Sequence, residues 1–360
     1  MLLAEQGCRP AARGSVGRRW IVPILALLLV ATTLTSATVG SVRIGWSDLF
    51  ATILREVSGR SAVVPDEPHA SVLFAIRLPR LALGVLVGAG LGVSGAAMQG
   101  VFRNPLVDPG LLGISSGAAL GAAATIVLGA KVAHGLPLTA APYILPAASF
   151  VAALGAVLVV ERIARVGDRT AVGALLLAGI AVNALAFAQT GLLTYLANDA
   201  QLRTLTFWSL GSLGGATWAT LRAVAIFCFV PLAILVRYAR PLNALLLGEA
   251  EAKHLGFDVE RTKRVVVVCT AILVGACVAS SGIVGFVGLV VPHLVRLIVG
   301  PDHRAVLPSS ALLGATLLTA ADAIARTVVS PGELPLGIVT ATVGAPFFVA
   351  LLLRERRRLA

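Results

Sequence analysis

The run LPRLALGVLVGAGLGVSGAAMQGVF, residues 78–102, has one charged side chain, Arg80, in 25 positions. About 20 apolar residues in helical form cross a bilayer's hydrocarbon core. Small residues recur at every fourth position: Gly84, Gly88, Gly92, Ala96 and Gly100. At helical spacing these fall on one face, where a neighbouring backbone can approach closely and be held by dispersion. Gly113, Gly117 and Gly121 repeat the pattern in the next apolar run. The remainder of the chain is similar. Of 360 residues 58% are hydrophobic and 13% charged, and the mean hydropathy is +0.93. An ordinary soluble domain carries about 25% charge. A water-soluble globule and a disordered chain are both excluded. With 37 glycines and only 5% aromatics, closely packed helices fit better than a barrel with aromatic girdles. The expected fold is all-α and polytopic.

Ten apolar stretches follow, near 20–40, 78–102, 111–130, 140–160, 172–197, 219–236, 264–281, 283–299, 305–326 and 335–353. The break at 280–282 divides one long tract into two spans. With both termini inside, 20 of the 29 Lys and Arg residues lie on inner segments, as the positive-inside rule requires. The net charge of +12 then reflects orientation rather than nucleic-acid binding. Residues 1–19 form a basic cytoplasmic segment, 20–353 one transmembrane domain with an inner loop at about 238–263, and 354–360 a basic tail. Arg9, Arg13, Arg18 and Arg19 before an apolar run imitate a signal peptide. The run from Trp20 to Val39 is long enough to be an uncleaved first span.

Several chemistries find no support. GLGVSG (90–95) matches a dinucleotide fingerprint but lies within a membrane span, without the strand and exposed helix start that motif needs. GVSG (92–95) imitates an intramembrane serine protease, for which His293 would be the base to Ser94. His293 belongs near the inner end of a later span, at a different level. No Walker A sequence occurs. The cysteines Cys8, Cys228, Cys269 and Cys277 form no CxxC, and the five histidines have no ligand spacing. No metal site, disulfide framework or enzyme activity is expected. Carboxylates midway along spans, which a proton-coupled carrier uses, are absent, so the energy for transport must come from a partner.

Four motifs exceed what hydropathy explains. They are RLPR (77–80), MQGVFRNPLVDPGLLGISSGA (98–118), LGEAEAKHLG (247–256), and a C-terminal series beginning GIVGFVGLVVPHLVR (282–296). That series continues with PDHR (301–304), DAIAR (322–326) and ELPLGIVTATVGAPFF (333–348). Physically, 247–256 reads as a brief amphipathic helix closed by a Gly cap. Its small residues would let another protein's groove enclose it. In 98–118, Pro105, Pro109 and Gly110 stop the helix and shape a turn.

Together the motifs resemble the FecCD/BtuC-like permease family, the membrane subunits of ATP-binding-cassette importers for iron–siderophores, haem and cobalamin. The resemblance runs from about Trp20 to Leu353. It implies ten spans, a second identical or paralogous permease subunit, two ATPase subunits inside and an extracytoplasmic binding protein. It places the chain in the bacterial cytoplasmic membrane, with ATP and Mg held by the ATPase subunits and no cofactor on this chain. By that resemblance Leu247, Gly248, Glu249, Ala252, Leu255 and Gly256 couple to the ATPase. Arg77, Arg80 and Arg326 meet glutamates of the binding protein on the outer side. Asn104, Pro105, Thr170, Val172 and Gly173 lie near the pathway and its inner gate. The expected cargo is a ferric siderophore, with haem or cobalamin as the alternative. A stand-alone secondary carrier is the alternative of a different class.

Overall fold

Helix α2, Leu78–Phe102, is the axis of the molecule. In the computed structural model 83% of its most apolar window is buried inside the chain. The structure describes residues 15–40, 45–47, 49, 54, 71–132, 141–167, 169–329 and 332–359. The signal-like arginines Arg9 and Arg13 lie outside them. Before α2 come α1 (Ser15–Thr38) and a π-helical turn, Leu73–Arg77. After it come a 3-10 turn at Pro109–Leu112, α3 (Ile114–Val132) and α4 (Ala141–Ala164). A two-residue hairpin, 165–166 with 169–170, leads into α5 (Val172–Leu196). Then follow α6 (Asp199–Ser209), α7 (Trp218–Arg237), α8 (Ala239–Leu247) and α9 (Glu249–His254). The chain continues through α10 (Val259–Ser281), α11 (Val287–Val299), α12 (His303–Thr327) and α13 (Leu336–Leu359).

Among the described residues seven helices are long and apolar enough to cross a membrane, and three shorter apolar helices accompany them. These match the ten stretches of the sequence. Polar side chains set several starts. Asp258 accepts the Arg261 N–H (2.9 Å), Asp302 that of Arg304 (2.9 Å) and Thr217 that of Thr220 (3.1 Å). Each satisfies a first-turn donor that has no partner within its own helix.

The glycine stripe on α2 has a direct structural cause. A Cβ on Gly88 would strike the backbone of Gly314 and Ala315 in α12, and one on Gly92 the Ser310 carbonyl. On another face Gly95 meets Gly288 of α11, and Gly90 meets Leu273 and Cys277 of α10. On α3, Gly117 and Gly121 meet the carbonyls of Ala152 and Ala148 in α4. Overpacking costs about 1–3 kcal/mol when side chains can yield, and more when they cannot. The obstacle at Gly92 is backbone. Gly92→Val is therefore expected to lower the thermal unfolding midpoint of the purified protein sharply, while Gly173→Ala, where a Cβ meets nothing, leaves it unchanged.

Two elements differ from the sequence expectation. Residues 198–218, to which no element was assigned, contain α6, an outer helix held by a reciprocal cap between Asn198 and Gln201. The eighth span starts at Val287, not 283, because Gly282 and Phe286 both take positive φ. Residues 282–286 instead cross the outer side as non-helical backbone. Backbone bonds hold its two ends: Gly282 N–H bonds Val278 O (2.8 Å), Val287 N–H bonds Gly285 O (2.9 Å) and Val290 N–H bonds Phe286 O (2.8 Å). Buried backbone needs such partners.

Candidate functional site: an outer ion cluster and an inner coupling element

On the outer side the ends of α1, α2 and α12 meet in one ion cluster. Arg80 is gripped by two carboxylates. Its Nε donates to Asp322 Oδ1 (3.0 Å), and its Nη1 and Nη2 donate to Glu333 Oε1 (2.8 Å) and Oε2 (2.9 Å). Arg326 Nε lies 3.0 Å from Asp322 Oδ2. Arg326 Nη2 also donates to Ser36 Oγ (2.6 Å), and Nη1 to Val39 O (3.2 Å). Arg77 donates to Ala37 O. The resemblance implied that these arginines face a binding protein. Within this chain Arg77, Arg80 and Arg326 are only 4%, 6% and 7% exposed. The forks are directed at internal carboxylates and carbonyls, because a guanidinium withdrawn from water must have its donors satisfied. Glu333, with its side chain 44% exposed, is the member of the cluster that reaches solvent.

The inner element holds the expected brief helix, α9, and α8 before it. Gly248, at φ +132°, separates α8 from α9. Helix α9 then ends as its sequence indicates. Gly256 takes φ +84°, its N–H bonds Lys253 O (2.9 Å), and Phe257 N–H bonds Ala252 O (3.0 Å). This is a Schellman closure. Leu246, Leu247 and Leu255 are exposed, at 38%, 66% and 58%. Ala252 is corrected: it is fully buried in this chain's own core, so its small size serves internal packing and not an enclosing groove.

Lys263 of α10 connects this element to the start of α5, a link absent from the sequence reading. Its ammonium donates to Thr170 O (2.7 Å) and lies 3.3 Å from Glu249 and 2.9 Å from Glu260. Glu260 in turn accepts the Thr170 N–H (2.9 Å). The Lys263 side chain is 2% exposed. The available signal was slight: Lys is one of only three in the chain, and Glu260 precedes it by three positions on a helix. A second link leaves α8. Asn243 Nδ2 donates to Asp302 Oδ1 (2.6 Å), and Asn243 Oδ1 accepts the His303 N–H (2.8 Å). The inner element is thereby fastened to the start of α12.

The remaining pathway residues separate. Thr170 is buried in the Lys263 network, whereas Gly173 faces open space. Val172 is half-buried at the first turn of α5. Asn104 and Pro105 are exposed in the turn after α2, where Asn104 Oδ1 accepts the Leu106 N–H (2.9 Å). The following 3-10 turn docks on α5. Asn183 Nδ2 donates to Gly110 O (3.3 Å) and its Oδ1 accepts from Ser116 Oγ (2.6 Å). Burial pushes the Asp108 carboxyl above its ordinary value, against the lowering effect of the Gly110 N–H it accepts. Ser94 is fully buried and its hydroxyl bonds nothing among the described residues, so no nucleophile–base pair with His293 forms.

Ten apolar helices, an outer ion cluster and an inner element with exposed leucines describe a polytopic membrane protein. Residues 27–354 match the FecCD transport family, and the chain belongs to it. It is 44% identical over 346 residues to the hemin transport system permease HmuU of Yersinia pestis, across 96% of this chain and 98% of that one. It is 46% identical over 293 residues to the cobalamin import permease BtuC of Halobacterium salinarum, across 81% and 76%. A solved structure described as a metal-chelate type transporter in an inward-facing conformation matches with TM-score 0.79 at 33% identity, across 93% of this chain and 99% of that one. The protein is thus a multi-pass membrane permease subunit. ATP is hydrolysed by separate ATPase subunits, and a second permease subunit and a binding protein complete the ATP-binding-cassette importers of this family.

Proposed function

We propose that this permease imports an iron chelate, with a ferric siderophore as the expected cargo. The observation that carries the reading is the composition of α5, which by family resemblance lines the pathway. Its 25 residues include no Asp, Glu, Lys, Arg or His. Its exposed side chains include Leu177, Ile180, Leu185, Phe187, Leu192 and Tyr195. A bare cation in transit needs oxygen or nitrogen ligands. A wall without acidic, basic or imidazole side chains suits a metal that carries its own coordination shell. Haem is the second reading, favoured by the near full-length similarity to a hemin permease.

In this reading the exposed leucines of α8 and α9 sit in the ATPase, and Lys263 passes their movement to Thr170 and the inner end of α5. ATP and Mg stay on the ATPase subunits. On the outer side a carboxylate of the binding protein replaces Glu333 on Arg80, exploiting the bidentate fork that Arg offers. The test is uptake by proteoliposomes holding permease, ATPase and binding protein, supplied in turn with radio-iron siderophore, haem and cobalamin. ATP-dependent accumulation of the siderophore is expected. Accumulation of cobalamin alone would refute the iron reading, and accumulation without ATP would identify a secondary carrier.

A further inference from the structure

A cavity of about 750 Å³ opens on the outer side, sharing no residue with the ion cluster. The start of α4, helix α6, the start of α7 and the end of α10 enclose it. Its wall combines the rings of Tyr143, Phe207 and Trp208 with the hydroxyls of Thr204 and Thr220 and one cation, Arg203. Among the described residues Arg203 is in no ion pair.

A second cavity of about 270 Å³ continues from the first, for Tyr143, Pro146, Ala279 and Ser280 line both. It is a groove between α4 and α7, which each pack on α10. Its floor is the small α10 side chains Ala276, Ala279 and Ser280. At its deep end the rings of Phe150 and Phe227 lie 4.9 Å apart. From Tyr143 to Val151 the groove follows α4 for about 12 Å, within the roughly 15 Å of hydrocarbon in one leaflet. The helices beside it present Val151, Phe227 and Val230 outward, at 65%, 46% and 63% exposure.

The order of chemistry along this path is informative. A cation without an ion pair among the described residues, with hydroxyls and aromatic rings beside it, lies at the outer helix ends, the level at which headgroups lie and Trp and Tyr are favoured. A slot lined almost entirely by apolar side chains lies below it, toward the acyl region. An amphiphile with an anion at one end and a hydrocarbon chain at the other satisfies both. We propose that the two cavities together bind one outer-leaflet glycerophospholipid, with its phosphodiester on Arg203 and one acyl chain in the α4–α7 groove. Arg offers phosphate a charge-assisted fork, and the chain fills space that would otherwise leave its lining without contacts. This site is independent of the cargo's identity.

The test uses the assembled complex of permease and ATPase subunits in phosphatidylglycerol nanodiscs, released for native mass spectrometry. The wild type is expected to retain one phospholipid per permease chain. Arg203→Gln removes the phosphate contact, and Ala147→Trp fills the groove from an exposed position. Each should reduce retention about tenfold or more while still assembling with the ATPase, and Arg203→Lys should keep most of it. Undiminished retention in both Arg203→Gln and Ala147→Trp overturns the proposal. So does displacement by inorganic phosphate with no effect of Ala147→Trp, which would mean a site for a free anion. Cross-linking of Arg203→Cys to a second permease chain would overturn it too, since a protein would then cover the cavity.

Discussion

Asp322→Asn is expected to destabilise the folded permease by about 3–5 kcal/mol, the cost of breaking a buried ion pair from one side. The Asp322 side chain is 3% exposed, and the guanidiniums of Arg80 and Arg326, each at 7%, both bond it. Without it Arg80 keeps one carboxylate among the described residues, Glu333 at the rim, and Arg326 loses its ion pair. Asn can accept a hydrogen bond but does not offset charge. The measurement is the thermal unfolding midpoint of purified protein, with membrane yield as a second readout. Asp322→Asn combined with Arg326→Gln should recover part of the loss, because the double change removes one charge of each sign. If Asp322→Asn alone unfolds at the wild-type temperature, the cluster does not hold the helix ends together. Glu333→Gln should be milder, since water reaches that side chain and screens its pairing.

Lys263→Met is expected to separate ATP hydrolysis from uptake. The substitution keeps most of the buried stem and removes the only charge that joins Glu249, Glu260 and Thr170 O. Its cost to stability lies toward the lower end of about 3–5 kcal/mol, because Glu249 and Glu260 remain 36% and 21% exposed and can regain water. The cost to coupling is more specific. Coupling free energies of about 1–3 kcal/mol correspond to roughly 5- to 150-fold effects. Cargo moved per ATP hydrolysed should fall within that range, while the ATPase subunits still co-purify and hydrolyse ATP. An unchanged ratio in an assembled complex would show that the inner element acts on α5 by another route.

The bilayer dictates what could be read in advance. Spanning helices need long apolar runs, so their number and order were visible in the hydropathy along the chain, and the four-residue glycine spacing of α2 announced a close helix neighbour. The outer cluster was legible only in part. Arg77 and Arg80 stand three apart, and Asp322 and Arg326 four apart, at helical spacing. Yet nothing in one sequence says that Arg80 turns toward Asp322, 242 positions later, instead of outward. Lys263 was hidden for the same reason. Its partners come from α9, α10 and the hairpin before α5, and such convergence exists only after folding. The α6 helix escaped notice because it is polar and only 11 residues long, without the hydropathy that marked the spans. Ala252 shows the opposite error. A small residue fits equally into a partner's cleft or its own core, and size does not tell the two apart.

Helix α12 is fastened at both ends. Its inner start is held through Asn243 to α8, and its outer end carries Asp322 and Arg326. Its 25 residues span about 37 Å, and its middle is locked to α2 by backbone contact at Gly88 and Gly314. A helix so held moves as one body, so events at one membrane face have to be felt at the other. Thermodynamic linkage then imposes a symmetry. By whatever factor a docked binding protein changes the ATPase subunits' affinity for nucleotide, bound nucleotide must change the permease's affinity for the binding protein equally. One titration on either side of the membrane therefore reports the conversation in both directions.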